Sequence, residues 1–395
     1  MNKIKSFQQY NKNISQKVFY VGVVIETLLM LIDKSYFNLP FEGQVFRLTF
    51  LIFLIKVCLT EYDLREYILI ALMTILGLLS WRLSGRNEVL RIIVFIAACK
   101  DVDMKKALKV LFWMTLSGVA LLMILAITGV VGSVSITQDF GRSRMETRYV
   151  LGLGHPNALH CMIWTLIVLG LYLYAQKMKW FHYLLVMVLN IFFYILSGSR
   201  TSFLVTTITV AGFFLVCHEK IYPGIKKLTA VLGGIASLFS LLLSVLIAAE
   251  AKTVYDYDWS MDNSRKAVLL KKLDDLLSGR MRSLAGTTYF EGTLSTWRLM
   301  GTRDTEHFFD LGWVRGFYWY GYIPMLVFVV ALILLAIYGF KNKKYEILMV
   351  MASISVYSIM EAHVVSPYLA RNYLFFLIGA FWVPILNEFV KKKVS

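Results

Sequence analysis

The chain has 395 residues, 58% hydrophobic and 17% charged, with 41 Lys and Arg against 25 Asp and Glu and a formal net charge of +16. That much apolar surface excludes a single soluble domain, and apolar runs that are continuous rather than alternating exclude a membrane β-barrel. The charge does not point to nucleic acid: residues 251–310, the longest polar stretch, balance nine basic against nine acidic residues, and the excess cations lie in short links between apolar runs.

Runs of roughly 18–24 apolar residues match the ~30 Å hydrocarbon core of a bilayer. They predict an all-α, polytopic transmembrane helical bundle, one integral membrane domain over 1–395 with about twelve spans. The spans are placed at 18–37, 43–60, 65–81, 87–100, 107–131, 156–175, 181–197, 201–218, 227–250, 313–340, 345–364 and 371–390. The first run has basic residues before it and no small-residue cleavage site after it, so it reads as a retained span. The second, containing Arg47 and Lys56, and the short fourth, containing Arg91, are the weakest. Cys58, Cys99, Cys161 and Cys217 fall in or at the ends of apolar runs without CxxC spacing, so neither a disulfide framework nor a cysteine metal site is expected.

The links set the orientation. One alternating set of links, with both termini, holds nineteen lysines and one arginine, and the positive-inside bias places it in the cytoplasm. The opposite side receives 251–312 as a long extracytoplasmic loop. It also receives Trp81–Glu88, Ser133–Pro156, Ser197–Arg200 and Glu361–Arg371. Basic residues outside the lysine set number fifteen arginines and six lysines. Arginine offers a planar, permanently charged fork for phosphate or carboxylate, so an arginine-rich outer face points to an anionic ligand. Within the loop, Ser264 to Ser278 reads as an amphipathic helix with a stripe of Leu269, Leu270, Leu273, Leu276 and Leu277, ended by Gly279. Its ordinary role is to lie on the membrane surface; its sharper one is a lid over a cavity.

Candidate site residues gather in four outer-side groups. Arg142, Arg144 and Arg148 precede Gly154-His155-Pro156-Asn157, where proline in a first helical turn would aim His155 and Asn157 into a cavity. An interfacial turn with headgroup-binding arginines is the plainer alternative. Ser197-Gly198-Ser199-Arg200-Thr201-Ser202 joins two spans almost without a loop, which makes Ser199 and Arg200 a candidate anion site, against a snorkelling arginine. Glu361, His363, Arg371 and Asn372 flank the last outer turn. Glu361 lies within an apolar pattern, where an ionisable group needs a partner, and an arginine is the obvious one. Asp304, Glu306, His307 and Asp310 precede Trp313, Arg315, Tyr318 and Tyr320; such aromatics form an interfacial belt or stack on sugar rings. His160 reads as a helix-packing donor, and His182 and His218 as interfacial. There is no HExxH, paired-aspartate or P-loop motif, so metal and ATP chemistry are not expected.

The order of these features resembles the bacterial O-antigen and capsular polysaccharide polymerase family, within the O-antigen ligase-like superfamily. The carriers are RYxLGxGHPN at Arg148–Asn157, SGSRTS at a span start, and Asp310, Trp313, Tyr320 and Gly321 closing a long loop. Glu361, His363 and Asn372 follow. The likeness covers the chain from about residue 140 onward. It implies a C-type-like membrane glycosyltransferase of capsule, exopolysaccharide or O-antigen biosynthesis, in the bacterial cytoplasmic membrane. Such an enzyme transfers a growing glycan from undecaprenyl diphosphate to a sugar hydroxyl of the next lipid-linked unit. Membrane lipids, a flippase and a chain-length regulator are the further partners expected, and no cofactor. The related ligases have a prominent loop histidine. Asp310 stands at that position here, with Leu311 in place of the usual asparagine. Diphosphate departure needs charge stabilisation, for which Arg142, Arg148, Arg200 and Arg371 are candidates, and the acceptor hydroxyl needs a base. Glu361 and Asp310 lead for that role, with His307 and His155 behind them. One displacement with one base predicts inversion. A ligase moving finished glycan and a flippase or exporter of lipid-linked units are the alternatives.

Overall fold

The computed structural model describes residues 12–140, 145–260, 264–286, 290–305, 307–364 and 366–394. The apolar runs form helices, because a chain in lipid must satisfy its backbone polar groups internally. In order these are α1 (Lys12–Asp33), α2 (Glu42–Cys58), α3 (Leu64–Ser84), α4 (Glu88–Ala98) and α5 (Met104–Ile127). A hairpin of β1 (Ser135–Asp139) and β2 (Met145–Tyr149) follows. Then come α6 (Pro156–Tyr174), α7 (Trp180–Ser197), α8 (Arg200–Cys217), α9 (Pro223–Ser260), α10 (Arg265–Leu276), α11 (Arg280–Ala285), α12 (Gly312–Tyr320), α13 (Tyr322–Lys341), α14 (Tyr345–Tyr357) and α15 (Tyr373–Val394). The chain is an all-α bundle whose described strands form one antiparallel pair, with Ile136 opposite Arg148 and Thr137 opposite Thr147.

Among the described residues, eight helices are long and apolar enough to cross a membrane: α1, α3, α5, α6, α7, α8, α9 and α13. Their outward faces carry exposed apolar side chains such as Leu185, Val188 and Ile195, as lipid contact requires. The interior is built differently. Lipid tails are as apolar as leucine, so burial of apolar surface does not drive helices together there, and packing and buried hydrogen bonds do. Trp164 Nε1 donates to Ser353 Oγ at 3.0 Å, and Thr209 Oγ1 meets Ser353 Oγ at 2.7 Å. Ser202 Oγ meets Tyr357 hydroxyl at 2.9 Å. These contacts join α6, α8 and α14, and α9 packs along α14.

Three boundaries differ from the sequence reading. The run at 313–340 is two helices, α12 and α13, broken at Gly321. There Tyr322 and Ile323 donate their amides to the carbonyls of Arg298 and Leu299 instead of continuing α12. The run at 345–364 is helical only to Tyr357, and the chain beyond it turns back. α9 continues through Ser260, so the first part of the 251–312 segment extends a helix.

The amphipathic helix is present as α10, capped by Ser264 Oγ accepting from Ala267 N at 3.2 Å. Its leucines do not act as one stripe. Leu270 and Leu277 are buried with Ala267 and Asp274, whereas Leu269 and Leu276 are 68% and 79% exposed. Asp274 is fully buried and accepts from the amides of Met281 and Arg282 at 2.8 and 3.3 Å, which locks α11 against the end of α10. That lock fixes Arg280, the first residue of α11.

Candidate active site

The carboxylates and arginines of the candidate site meet at the end of the bundle that carries the 251–310 segment. Three chain elements deliver them. α14 ends at Tyr357, and the turn after it presents Glu361. α12 docks on that turn: Trp313 donates its amide to Ser358 O at 3.4 Å and its indole to Ser355 O at 3.0 Å. Gly312 makes this docking possible, because a Cβ there would lie 2.5 Å from the Glu361 carbonyl oxygen. Asp310, just before α12, thereby comes beside Glu361. α11 supplies Arg280 from the third side.

Arg280 Nη2 lies 3.4 Å from Glu361 Oε1 and 3.9 Å from Asp310 Oδ2. Arg315 Nη2 lies 3.9 Å from Asp310 Oδ1. Glu361 keeps 23% of its side chain exposed, and its second oxygen accepts nothing among the described residues. Burial first, and then the negative charge of Asp310, raise the Glu361 carboxyl to about 7, against the opposing pull of Arg280, Lys34 and Arg315. A carboxyl near neutrality with one free oxygen can take a proton from a bound hydroxyl and give it up again.

His155 caps α6, its Nδ1 accepting the Asn157 amide at 3.1 Å. Burial is the main cause that lowers its pKa, partly opposed by Asp310, and so favours the neutral ring. Asp310, Arg148 and Lys34 all act on its charge, so His155 shares the electrostatic field of the carboxylate cluster. Arg148 is 8% exposed and paired with Glu146 at 2.7 Å; its guanidinium covers Phe140 at 4.0 Å. It also rests on Gly198, where an added Cβ would stand 3.0 Å from Arg148 Nε. Gly198 has φ +65°, a second reason why this turn between α7 and α8 takes glycine. Arg200 opens α8, is exposed, and has no hydrogen bond or ion pair among the described residues.

The other expected site residues have structural partners. Ser199 is buried, with its hydroxyl 3.0 Å from Ser202 Oγ. Asn157 contributes its backbone amide to the His155 cap, and its side chain has no hydrogen bond among the described residues. Arg315 donates Nε to Phe309 O at 2.6 Å and stacks on Phe308 at 3.7 Å, so most of its donors serve the local fold. Arg371 pairs with Asp33 at 2.7 Å, not with Glu361. Asn372 is fully buried and caps its own turn, accepting Leu374 N at 3.0 Å and donating to Val364 O at 3.5 Å. His363 is buried edge-on to Trp164, its Nδ1 3.8 Å from Cys161 Sγ, and burial holds its pKa well below the usual imidazole value. It is a neutral packing group, although its Nε2 has no partner among the described residues. The His307 ring lies against Phe309, 5.5 Å between centroids, with no hydrogen bond to the carboxylates. Arg142, Arg144 and Glu306 lie outside the described residues.

Sequence reasoning missed Arg280, the partner of Glu361, and also Glu26. The latter is an acidic group inside the first apolar run, 1% exposed and paired with Arg91 at 3.0 Å. The rule that singled out Glu361 applies equally to Glu26. His160, read as a packing donor, is buried between Ser197 Oγ at 3.1 Å and Asn190 Oδ1 at 2.9 Å. Among the described residues no group of three or more His, Cys, Asp or Glu could hold a metal ion. No family model, curated protein or solved structure matches this chain.

Proposed function

We propose that the chain is a membrane glycosyltransferase that builds a polysaccharide outside the bacterial cytoplasmic membrane from lipid diphosphate-linked units. The observation that carries this reading is Glu361: a carboxyl raised to about 7, held loosely by Arg280 beside Asp310, with one oxygen that accepts nothing among the described residues. The exposed Arg200 follows by two residues Gly198, on which Arg148 rests.

In this reading Glu361 accepts the proton of the acceptor sugar hydroxyl as its oxygen bonds to the anomeric carbon of the donor. The bond from that carbon to the diphosphate breaks, and its electron pair leaves on the diphosphate oxygen. Arg200 and Arg280 stabilise the departing charge, as preformed positive groups at a site that is partly closed to water. Configuration at the anomeric carbon inverts. α2, α4, α14 and α15 join the eight long helices as crossings, which returns both termini to the lysine-rich, cytoplasmic side.

The test uses purified protein in detergent with a synthetic lipid diphosphate-linked repeat unit, EDTA and no ATP. A ladder of repeat multiples is the expected product. Transfer of the lipid across liposomes without any new glycosidic bond would replace the polymerase by an exporter. A single transfer onto a finished acceptor without a ladder would replace it by a ligase.

A further inference from the structure

Two polar rungs join α8 to α14. The deeper one runs from Thr209 Oγ1 to Ser353 Oγ at 2.7 Å, and the outer one from Ser202 Oγ to the Tyr357 hydroxyl at 2.9 Å. This register is antiparallel, so the start of α8 lies beside the end of α14. Those are the two ends that the candidate site uses: Arg200 opens α8, and Glu361 follows the last residue of α14 by four.

Tyr357 acts on both ends. Its ring is fully buried, stacked on Trp164 at 4.2 Å between centroids and edge-on to His363 at 5.6 Å, which leaves the hydroxyl one direction. Ser202 Oγ, which that hydroxyl meets, lies in turn 3.0 Å from Ser199 Oγ. Ser199 is the N-cap residue of α8, directly before Arg200. A serine there ordinarily accepts from the second or third amide of its helix. Ser199 makes no such bond, and its hydroxyl turns to Ser202 instead. The turn is also held from α6, since the Ser199 amide donates to Ser197 Oγ at 3.3 Å and Ser197 Oγ lies 3.1 Å from His160 Nδ1. At its other end, Tyr357 accepts the amides of Met360 and Glu361 on its carbonyl at 3.1 and 3.0 Å.

We propose that Tyr357 is the positioning residue that holds Arg200 in register with Glu361, its hydroxyl fixing the first turn of α8 and its carbonyl the turn that presents the carboxyl. It touches no substrate. In a displacement, the base that activates the attacking hydroxyl and the arginine that receives the departing phosphate work together only while the gap between them holds to about 0.5 Å. This inference rests on the glycosyltransferase reading for the roles of the two ends.

The test compares Tyr357→Phe with Thr209→Val in the full-length protein. Phenylalanine keeps the ring, its stacking on Trp164 and the carbonyl, and removes the hydroxyl alone; valine cuts only the deeper rung. With the synthetic lipid diphosphate-linked repeat unit, Tyr357→Phe lowers the saturating rate about tenfold. It leaves the half-saturating concentration and the acidic limb of the pH profile where they are in the parent. Thr209→Val keeps its rate within twofold. In the Arg200→Ala background Tyr357→Phe costs less than a further twofold, because the arginine through which it acts is gone. Ser202→Ala cuts the same link from α8 and gives the same pattern should the phenylalanine variant not fold. A Tyr357→Phe rate within twofold of the parent, or losses that multiply in the double variant, overturns the proposal. So does a shifted acidic limb, which would mean that the hydroxyl acts on Glu361 itself. Hydrogen–deuterium exchange in nanodiscs separates this inference from the reaction. The Phe203 amide donates to Ser199 O at 3.1 Å and so reports the first turn of α8. It exchanges at least threefold faster in Tyr357→Phe and within twofold of the parent in Thr209→Val. Unchanged exchange removes the strut whatever the chemistry, and faster exchange in a protein that forms no glycan ladder keeps the strut and removes the polymerase.

Discussion

Among the described residues, the glutamate–arginine pairs Glu26–Arg91 and Glu361–Arg280 are built for opposite ends. Glu26 and Arg91 are 2% and 4% exposed in their side chains and 3.0 Å apart. Both oxygens of Glu26 are engaged: Thr49 donates to Oε1 at 2.6 Å, Arg91 to Oε1 at 3.0 Å, and the amide of Leu369 to Oε2 at 3.1 Å. Arg91 also covers the Phe46 ring at 4.0 Å. Glu361 and Arg280 are 3.4 Å apart, 23% and 19% exposed, and each retains unused bonding capacity. A buried carboxylate with both oxygens engaged ties helices together, whereas one with an oxygen that accepts nothing among the described residues and a competing neighbour remains available to a ligand. Glu26 pins the turn before α15 to α1 and α2, and Glu361 faces whatever enters the site.

The largest effect expected from this contrast is on Glu26. Glu26→Ala leaves Arg91 buried without its carboxylate, a loss of about 3–5 kcal/mol. The variant disappears from the membrane fraction or melts well below the parent in a detergent thermal-shift assay. A fully folded, active Glu26→Ala protein would show that the buried pair is dispensable. Glu361→Gln comes next. It keeps the shape and a hydrogen-bond acceptor for Arg280 but cannot take a proton, so the polymerisation rate falls by about 10²–10⁴ while the melting temperature holds. An unaltered rate removes Glu361 as the base.

The pattern of apolar runs made most helices legible, because lipid permits little else over such stretches. Ser264 likewise marked the N-cap of α10, whereas the helix ends at Leu276, three residues before Gly279, which caps the start of α11. The break at Gly321 was not legible. Residues 313–340 stay apolar and aromatic through it, and the bonds that replace helix there come from Arg298 and Leu299, in a different part of the chain. Glu361 was recognisable as an ionisable group in an apolar pattern, but its partner was not. Arg280 reaches it only because buried Asp274 fixes α11, a contact no local pattern encodes. The same long-range pairing diverted Arg371 to Asp33 and consumed Arg315 on the carbonyl of Phe309.

A smaller effect separates the two arginines of the hairpin region. Arg200→Ala removes an exposed cation that has no partner among the described residues, so it reduces polymer formation by about ten- to a hundredfold through lost phosphate stabilisation and leaves stability within about 0.5 kcal/mol. Arg148→Ala removes an ion-pair partner of Glu146 and empties the space over Gly198, so its loss of polymer is accompanied by a lower melting temperature. Equal stability in the two variants would mean that Arg148 is as free to serve the ligand as Arg200.

The smallest and most discriminating effect is on the pH profile. A general base works ionised, so with Glu361 near 7 the rate falls tenfold for each pH unit well below that value and levels above it. Asp310 is one cause of the raised value, since its negative charge opposes a second one beside it. Asp310→Asn removes that charge and eases ionisation of Glu361, so the acidic limb moves to lower pH. The plateau falls less than tenfold, because a carboxylate that ionises more readily is a weaker base. At pH 6 the variant therefore retains a larger share of its own plateau than the parent does. If Asp310 itself takes the proton, the same substitution lowers the rate by 10² or more at every pH and leaves no limb to move. The contrast in burial favours the first outcome: Asp310 is held at 3.9 Å by both Arg280 and Arg315 and is 51% exposed, so water competes for it, whereas Glu361 is the carboxyl whose burial makes proton transfer near neutrality favourable.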